Sequence, residues 1–169
     1  MKITYLSIVK FLFPTIFTYI LILGVFYLMF YKVLPTLRDI NIVLFFSLIL
    51  ILPVGIELIV LFNFYKINKN IYISRSKSGI LINFNNKRKL EITKSNLVSW
   101  QLTGTASKLQ NSSIKFSMLD DLFYIKVVVD NEDTITLTSL LYKDVDKLFE
   151  DLFIEYKIDD RKSNFPLIK

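Results

Sequence analysis

The residue types that most often carry out catalysis are missing from this chain of 169 residues, which contains neither histidine nor cysteine. Histidine acid–base catalysis, cysteine nucleophiles, Cys/His zinc sites and disulfides are therefore excluded. The chain has 4 glycines, and their positions permit neither a phosphate-binding loop nor a dinucleotide-binding glycine fingerprint. We therefore expect no catalytic residues, no metal site and no cofactor.

Two adjacent carboxylate pairs, Asp120-Asp121 and Asp159-Asp160, are the remaining candidates for acid–base chemistry. Neighbouring residues on a strand point to opposite faces, so neither pair converges on one substrate. Both pairs are interpreted as turn and solubilising residues. Short S-x-x-K patterns at residues 74–77 and 112–115 lack the S-D-N and K-T-G motifs that accompany this pattern in serine enzymes, and we expect neither to be catalytic.

Glu57 is the one ionisable residue inside a long apolar segment. A carboxylate near the centre of a bilayer costs about 2.5 to 3.5 kcal/mol on insertion scales, so such a residue is a candidate functional site. In an antiparallel helix pair, Thr18 and Tyr19 fall at the matching depth, where their hydroxyls can hydrogen-bond the carboxyl group. A structural contact within the pair or an oligomer is the favoured interpretation, and a proton or ligand contact is the alternative.

The densest basic run is Lys87-Arg88-Lys89, which the pattern places at a hairpin tip. Such a run indicates binding of anionic lipid headgroups, to which Lys66 and Lys69 would contribute further positive charge. The run is shorter than the roughly four to eight cations of polybasic lipid motifs, so a solvated hairpin is favoured and lipid binding is the alternative. Nucleic acid is not expected, because acidic residues largely offset the basic ones and no aromatic platform accompanies them.

Two apolar segments must position Glu57 and the flanking lysines. They are Phe11–Tyr31 and Asn41–Tyr65, in a chain that is 53% hydrophobic. Each is long enough to cross about 30 Å of hydrocarbon, and the short linker at residues 32–40 implies an antiparallel hairpin. The sequence therefore predicts a two-helix transmembrane hairpin over residues 1–66 and a second domain over residues 67–169.

The orientation of this hairpin follows from the basic residues near the membrane. More cations lie before the first segment and after the second than in the linker between them. The positive-inside rule therefore predicts a multi-pass protein of the cell membrane with two spans and both termini in the cytoplasm.

Beyond residue 69 the apolar pattern changes to a period of two, which is typical of strands. The predicted strands are 70–75, 79–84, 88–93, 97–103, 113–118, 122–129 and 133–139. A three-residue loop at 85–87 pairs Ile82 with Leu90, and a second at 130–132 pairs Val127 with Ile135. In both hairpins these registers place the apolar side chains on one face.

An amphipathic helix, Tyr142–Tyr156, follows the strands and is expected to cover their apolar face. Trp100 is interpreted as a core residue, with a binding groove as the alternative, and 104–113 as the longest loop. The predicted fold class is an α+β membrane protein, a two-helix transmembrane hairpin followed by a pleckstrin-homology (PH)-like β-barrel or sandwich with a C-terminal helix.

Two hydrophobic patterns, Ser95–Trp100 and Thr136–Leu141, accompany this layout. Together they resemble bacterial membrane-anchored PH-like proteins of the YcxB-like type. The resemblance implies an architecture and no active site. An anchor and a fold without a set of catalytic residues favour a noncatalytic membrane-anchored interaction module, whose partners are the lipid bilayer and a protein or a second copy of the chain. The alternatives are a sensor of anionic lipid headgroups and an accessory subunit of a membrane transporter or enzyme complex.

Overall fold

The computed structural model describes residues 5–29, 40–85, 88–110, 118–130 and 134–168. It begins with two helices that contact each other, α1 (Tyr5–Leu28) and α2 (Ile40–Asn68). Within the described ranges, one helical segment, Ser47–Asn68, has the length and apolar composition needed to cross a membrane, and Ile16–Leu28 is apolar but shorter. The two-span hairpin stays a prediction, and its predicted linker lies almost entirely outside the described residues.

In the described part of the chain, seven strands form two sheets. The first sheet is antiparallel, with the order β1-β2-β3, and consists of β1 (Ile71–Arg75), β2 (Gly79–Phe84) and β3 (Lys89–Thr93). The second has the order β6-β5-β4-β7 and consists of β4 (Leu97–Gly104), β5 (Tyr124–Val129), β6 (Ile135–Thr138) and β7 (Arg161–Lys162). Two sheets and a later helix agree with the predicted PH-like fold.

The predicted hairpin registers are confirmed. Ile82 lies opposite Leu90 in the first sheet, and Val127 lies opposite Ile135 in the second. Ile82 and Val127 are fully buried. The physical reason is that a shift by one residue would turn every apolar side chain of the strand toward solvent.

Several predicted elements differ from the structure. Of the predicted strand 113–118, residues 113–117 lie outside the described part of the chain, and Met118 begins a 3₁₀ helix, Met118–Asp121. The predicted loop at 104–113 contains a short helix, α3 (Ala106–Leu109). The last helix is shorter than predicted: α4 spans Val145–Phe153 and continues as a 3₁₀ turn. The sequence analysis missed β7, because two charged residues carry no apolar alternation.

The core lies between the sheets, α4 and the end of α2. Trp100 is fully buried, which confirms its interpretation as a core residue, and its indole Nε1 donates to the carbonyl oxygen of Phe153 at 2.8 Å. Val60, Leu61 and Phe64 of α2 are buried in the same core. The end of α2 is therefore packed into the β-rich part of the chain, and the division predicted at residues 66/67 stays a prediction.

Candidate functional site

The tip of the β2–β3 hairpin is bonded to the chain directly after α2. The backbone N–H of Asn85 donates to the carbonyl oxygen of Asn70 at 3.0 Å, and its side-chain Nδ2 donates to Asn70 Oδ1 at 3.2 Å. The hydroxyl of Tyr72 donates to Asn85 Oδ1 at 3.2 Å. This set of bonds fixes the hairpin tip beside the end of α2, a place that we call the junction.

Four of the five cations that the sequence analysis singled out lie near this junction. Lys66 and Lys69 are exposed at the end of α2, where cations also complement the helix dipole. Arg88 and Lys89 are exposed on the far side of the hairpin turn, and the Arg88 guanidinium carbon lies 5.5 Å from the centre of the Phe84 ring. Lys87 lies outside the described residues. The junction therefore presents exposed positive charge from two elements far apart in sequence.

The opposite end of the first sheet has a different charge pattern. Glu91 on β3 accepts hydrogen bonds from the hydroxyls of Ser76 and Ser78 in the β1–β2 turn, at 2.6 Å and 2.5 Å. The bond from Ser76, followed by the bond from Ser78, holds the pKa of the exposed Glu91 carboxyl below its ordinary value. The turn lies about 16 Å along β1 from the junction. Glu91 therefore bonds the far turn to the middle of β3, two residues along the strand from Lys89.

Glu57 is buried, with 2% of its surface exposed, although the residues next to it on α2, Ile56 and Leu58, are exposed apolar residues. On α1, Tyr19 is half-buried and lies within range of a Coulombic interaction with Glu57, while Thr18 is exposed. The structure thus places Tyr19 near Glu57, and the roles of all three residues stay predictions.

The position of Glu57 along α2 is informative. The 29 residues of the helix span about 43 Å, more than the roughly 30 Å of a hydrocarbon core. The segment with the length and apolar composition needed to cross a membrane, Ser47–Asn68, contains Glu57. Glu57 lies about one helical turn before Val60 and Leu61, which are buried in the core.

A buried polar cluster was missed by the sequence analysis. Asp120, interpreted as a solubilising turn residue, is buried and accepts a hydrogen bond from the Thr105 hydroxyl at 2.9 Å. Lys108 forms an ion pair with the buried Asp146 and lies 4.1 Å from the centre of the Phe123 ring. Because these partners come from distant parts of the sequence, local composition gave no signal for them. The cluster joins α3 to α4 and to the 3₁₀ helix.

The other chemical candidates are separate from the junction. Asp159 and Asp160 are exposed, in keeping with a solubilising role, and Asp160 pairs with Lys157 at 3.3 Å. Ser74 and Lys77 are exposed, and the second S-x-x-K pattern lies outside the described residues. In the part of the chain that the structure describes, no group of three acidic, histidine or cysteine side chains is placed to hold a metal ion.

Comparison with known proteins gives one match. A family model for PH domains matches residues 2–148, a range that includes both long helices, the strands β1 to β6 and the first residues of α4. No curated protein and no solved structure matches the chain. The finer resemblance to YcxB-like proteins stays a prediction.

Proposed function

Because the chain belongs to the PH-domain family, we propose that it is a noncatalytic interaction module anchored in the cell membrane by α1 and α2. Members of such a family are binding modules whose surface contacts a lipid or a protein. The anchoring rests on one observation, the exposure of many large apolar side chains along both helices. In water such a surface would far exceed the apolar patches of a few hundred Å² that soluble monomers tolerate.

The exposed apolar side chains extend along both helices. On α1 they include Phe13, Ile16, Phe17, Ile20, Leu21 and Val25, and on α2 they include Leu44, Phe45, Leu48, Leu52, Ile59 and Phe62. A helix that is apolar on all sides belongs either in a protein core or in a membrane. These side chains are not covered by the rest of the chain, so hydrocarbon is the environment that fits them.

The contacts of the helices with the β-rich part support one orientation. Leu12 of α1 packs against the same core as the end of α2, and α1 contacts the 3₁₀ helix at 118–121. The first part of α1 and the last part of α2 therefore lie on the same side as the sheets. Together with the basic residues at the end of α2, this arrangement favours two antiparallel spans with the sheets in the cytoplasm.

Topology reporters test the anchoring. We expect the full chain to stay in the membrane fraction after alkaline carbonate extraction. A green fluorescent protein fused after Lys169 should fluoresce, while alkaline phosphatase at the same place should be inactive. Alkaline phosphatase inserted in the linker at 32–39 should be active. Release by carbonate, or an active phosphatase after Lys169, would contradict the proposal.

A second candidate function is the binding of anionic lipid headgroups at the junction. The observation that favours it is the bonding of Asn85 to Asn70, which holds Arg88 and Lys89 beside the lysines that follow the apolar part of α2. Each cation near a membrane surface contributes about 1 kcal/mol of attraction to anionic lipid. Four such cations are enough for a measurable preference at physiological salt.

Spin-labelled lipids measure this preference on the full chain in vesicles. The test variant carries Arg88→Gln and Lys89→Gln, and the matched control carries Arg75→Gln and Lys77→Gln, which remove the same two residue types near the far turn. We expect the preference for phosphatidylserine over phosphatidylcholine to fall several-fold in the test variant and to weaken with rising salt. Equal losses in both variants would assign the preference to overall charge rather than to the junction.

A further inference from the structure

The segment after β7 runs back toward the long helices. We call residues 163–168 the returning segment; it lies outside the range matched by the family model. The backbone N–H of Ser163 donates to the carbonyl oxygen of Gly104 at 2.8 Å. The carbonyl oxygen of Phe165 accepts from the Ser163 hydroxyl and from the backbone N–H of Leu167, both at 2.7 Å. These bonds give the segment a defined path.

The returning segment is attached to α2 by a pair of hydrogen bonds. The side-chain Nδ2 of Asn63 donates to the carbonyl oxygen of Ile168 at 3.1 Å, and the backbone N–H of Ile168 donates to Asn63 Oδ1 at 3.0 Å. One side-chain amide thus satisfies both backbone groups of a residue 105 positions away. Asn63 lies in the last third of α2, the part of the helix whose Val60, Leu61 and Phe64 are buried in the core beside the sheets.

The side chains of the returning segment alternate in exposure. Pro166 is buried and Ile168 packs against the core, whereas Phe165 is 50% exposed and Leu167 is 43% exposed. Leu167 is adjacent to the bonded residue, and Phe165 lies at most about 11 Å from it along the chain. Both exposed side chains therefore lie close to Asn63 of α2.

The surface of α2 at this level is apolar as well. Phe62, next to Asn63, is 68% exposed, and Ile59, one turn earlier, is 61% exposed. Exposed apolar side chains thus lie both on α2 and on the returning segment, next to the residues joined by the Asn63–Ile168 bonds. Cations lie next to both groups of apolar residues. Arg161 and Lys162 precede the returning segment, and Lys66 lies one turn after Phe62 on α2.

We propose that Phe165 and Leu167 insert into the interfacial layer of the bilayer beside α2, so that the returning segment is a second membrane contact. This inference rests on the proposed anchoring by α1 and α2. Apolar side chains held at the boundary between headgroups and acyl chains, with cations next to them, are the pattern of interfacial membrane contacts. The bonds to Asn63 hold the backbone of the segment in place, so that its apolar side chains remain at this level.

Because the chain contains no cysteine, a single introduced cysteine is the only site that a thiol-reactive label modifies. Single-cysteine variants Phe165→Cys and Leu167→Cys are labelled with a fluorophore, and the full chain is placed in vesicles of phosphatidylcholine and phosphatidylglycerol. Quenching is measured with a nitroxide near the lipid headgroup and with aqueous iodide. Leu48→Cys, on the exposed surface of α2, reports on the anchor, and Asp159→Cys reports on an exposed position in water.

We expect labels at 165 and 167 to be quenched by the lipid nitroxide and to show several-fold less iodide quenching than the label at 159. Iodide quenching equal to that at 159 would overturn the inference. Quenching by neither reagent would also overturn it, because the side chains would then be covered by protein, such as a second copy. If the label at 48 is itself open to iodide, the anchoring fails as well; if only 165 and 167 fail, the anchoring stands.

Discussion

The side-chain Oδ1 of Asn68, the last residue of α2, accepts a hydrogen bond from the backbone N–H of Thr138 on β6 at 2.8 Å. Its Nδ2 donates to the carbonyl oxygen of Thr136 at 2.9 Å. Asn68 is fully buried, so one amide joins the end of the helix to the edge of the second sheet. The helix and the sheet are therefore connected by directed bonds as well as by apolar packing.

Asn68→Ala should destabilise the fold markedly. The substitution leaves the buried N–H of Thr138 and the partly buried carbonyl group of Thr136 without their partner, and each buried group left unpaired costs about 1 to 3 kcal/mol. We expect the free energy of unfolding to fall by about 2 to 4 kcal/mol, measured by denaturation of the full chain in detergent. Asn85→Ala, at an exposed position, is the control and should cost less than half as much; equal losses would disprove a special role for Asn68.

Two phenylalanines of α2 allow a buried position to be compared with an exposed one. Phe64 is fully buried in the core, whereas Phe62 is 68% exposed. Phe64→Ala should cost about 3 to 5 kcal/mol of stability in detergent, because it leaves a cavity. Phe62→Ala should change stability by no more than about 0.5 kcal/mol. A large effect at Phe62 would indicate that protein covers this side chain.

The β1–β2 turn should respond to pH through Glu91. The pKa of its carboxyl is lowered in the folded state by hydrogen bonds from Ser76 and Ser78. The ionised carboxylate therefore stabilises the folded state at pH values above the ordinary pKa of glutamate. This stabilisation is lost as the pH falls through the lowered pKa. Titration of the side-chain carboxyl carbon by NMR should show this pKa returning toward its ordinary value in the Ser76→Ala, Ser78→Ala double variant. An unchanged titration would refute the assignment.

Glu57→Gln should leave the helix pair intact. The neutral amide keeps most of the hydrogen-bonding capacity of the carboxyl group, so we expect the stability and the oligomeric state to change only modestly, by about 1 kcal/mol or less. Thermal unfolding and size-exclusion chromatography of the full chain measure both. Normal abundance and stability together with loss of the cellular phenotype would instead indicate a protonation role.

The sequence predicted those parts of the fold that local patterns determine. The registers of Ile82 with Leu90 and of Val127 with Ile135 followed from apolar alternation. In each hairpin, one alignment alone places the apolar side chains of both strands on the same face. Other features arise only when distant segments meet. The burial of Asp120 depends on Thr105, and the attachment of Ile168 depends on Asn63.

The candidate site was predicted in part. The basic residues were evident from the sequence, but their grouping depends on which end of the first sheet adjoins α2. The bonds between Asn85 and Asn70 determine which end this is, and the sequence around the two residues does not indicate that they pair. The pKa shift of Glu91 could not be predicted either, because it requires Ser76 and Ser78 to face β3 across the sheet.

The unbroken path from α2 into the core has a mechanical consequence. Many membrane-anchored domains are joined to their anchor by a flexible linker. Here α2 itself ends inside the core, through Phe64 and Asn68. A helix responds to a thinner or thicker bilayer by tilting. Because Phe64 and Asn68 attach the end of α2 to the core and to β6, a tilt of this end in the proposed membrane anchor would turn the second sheet with it.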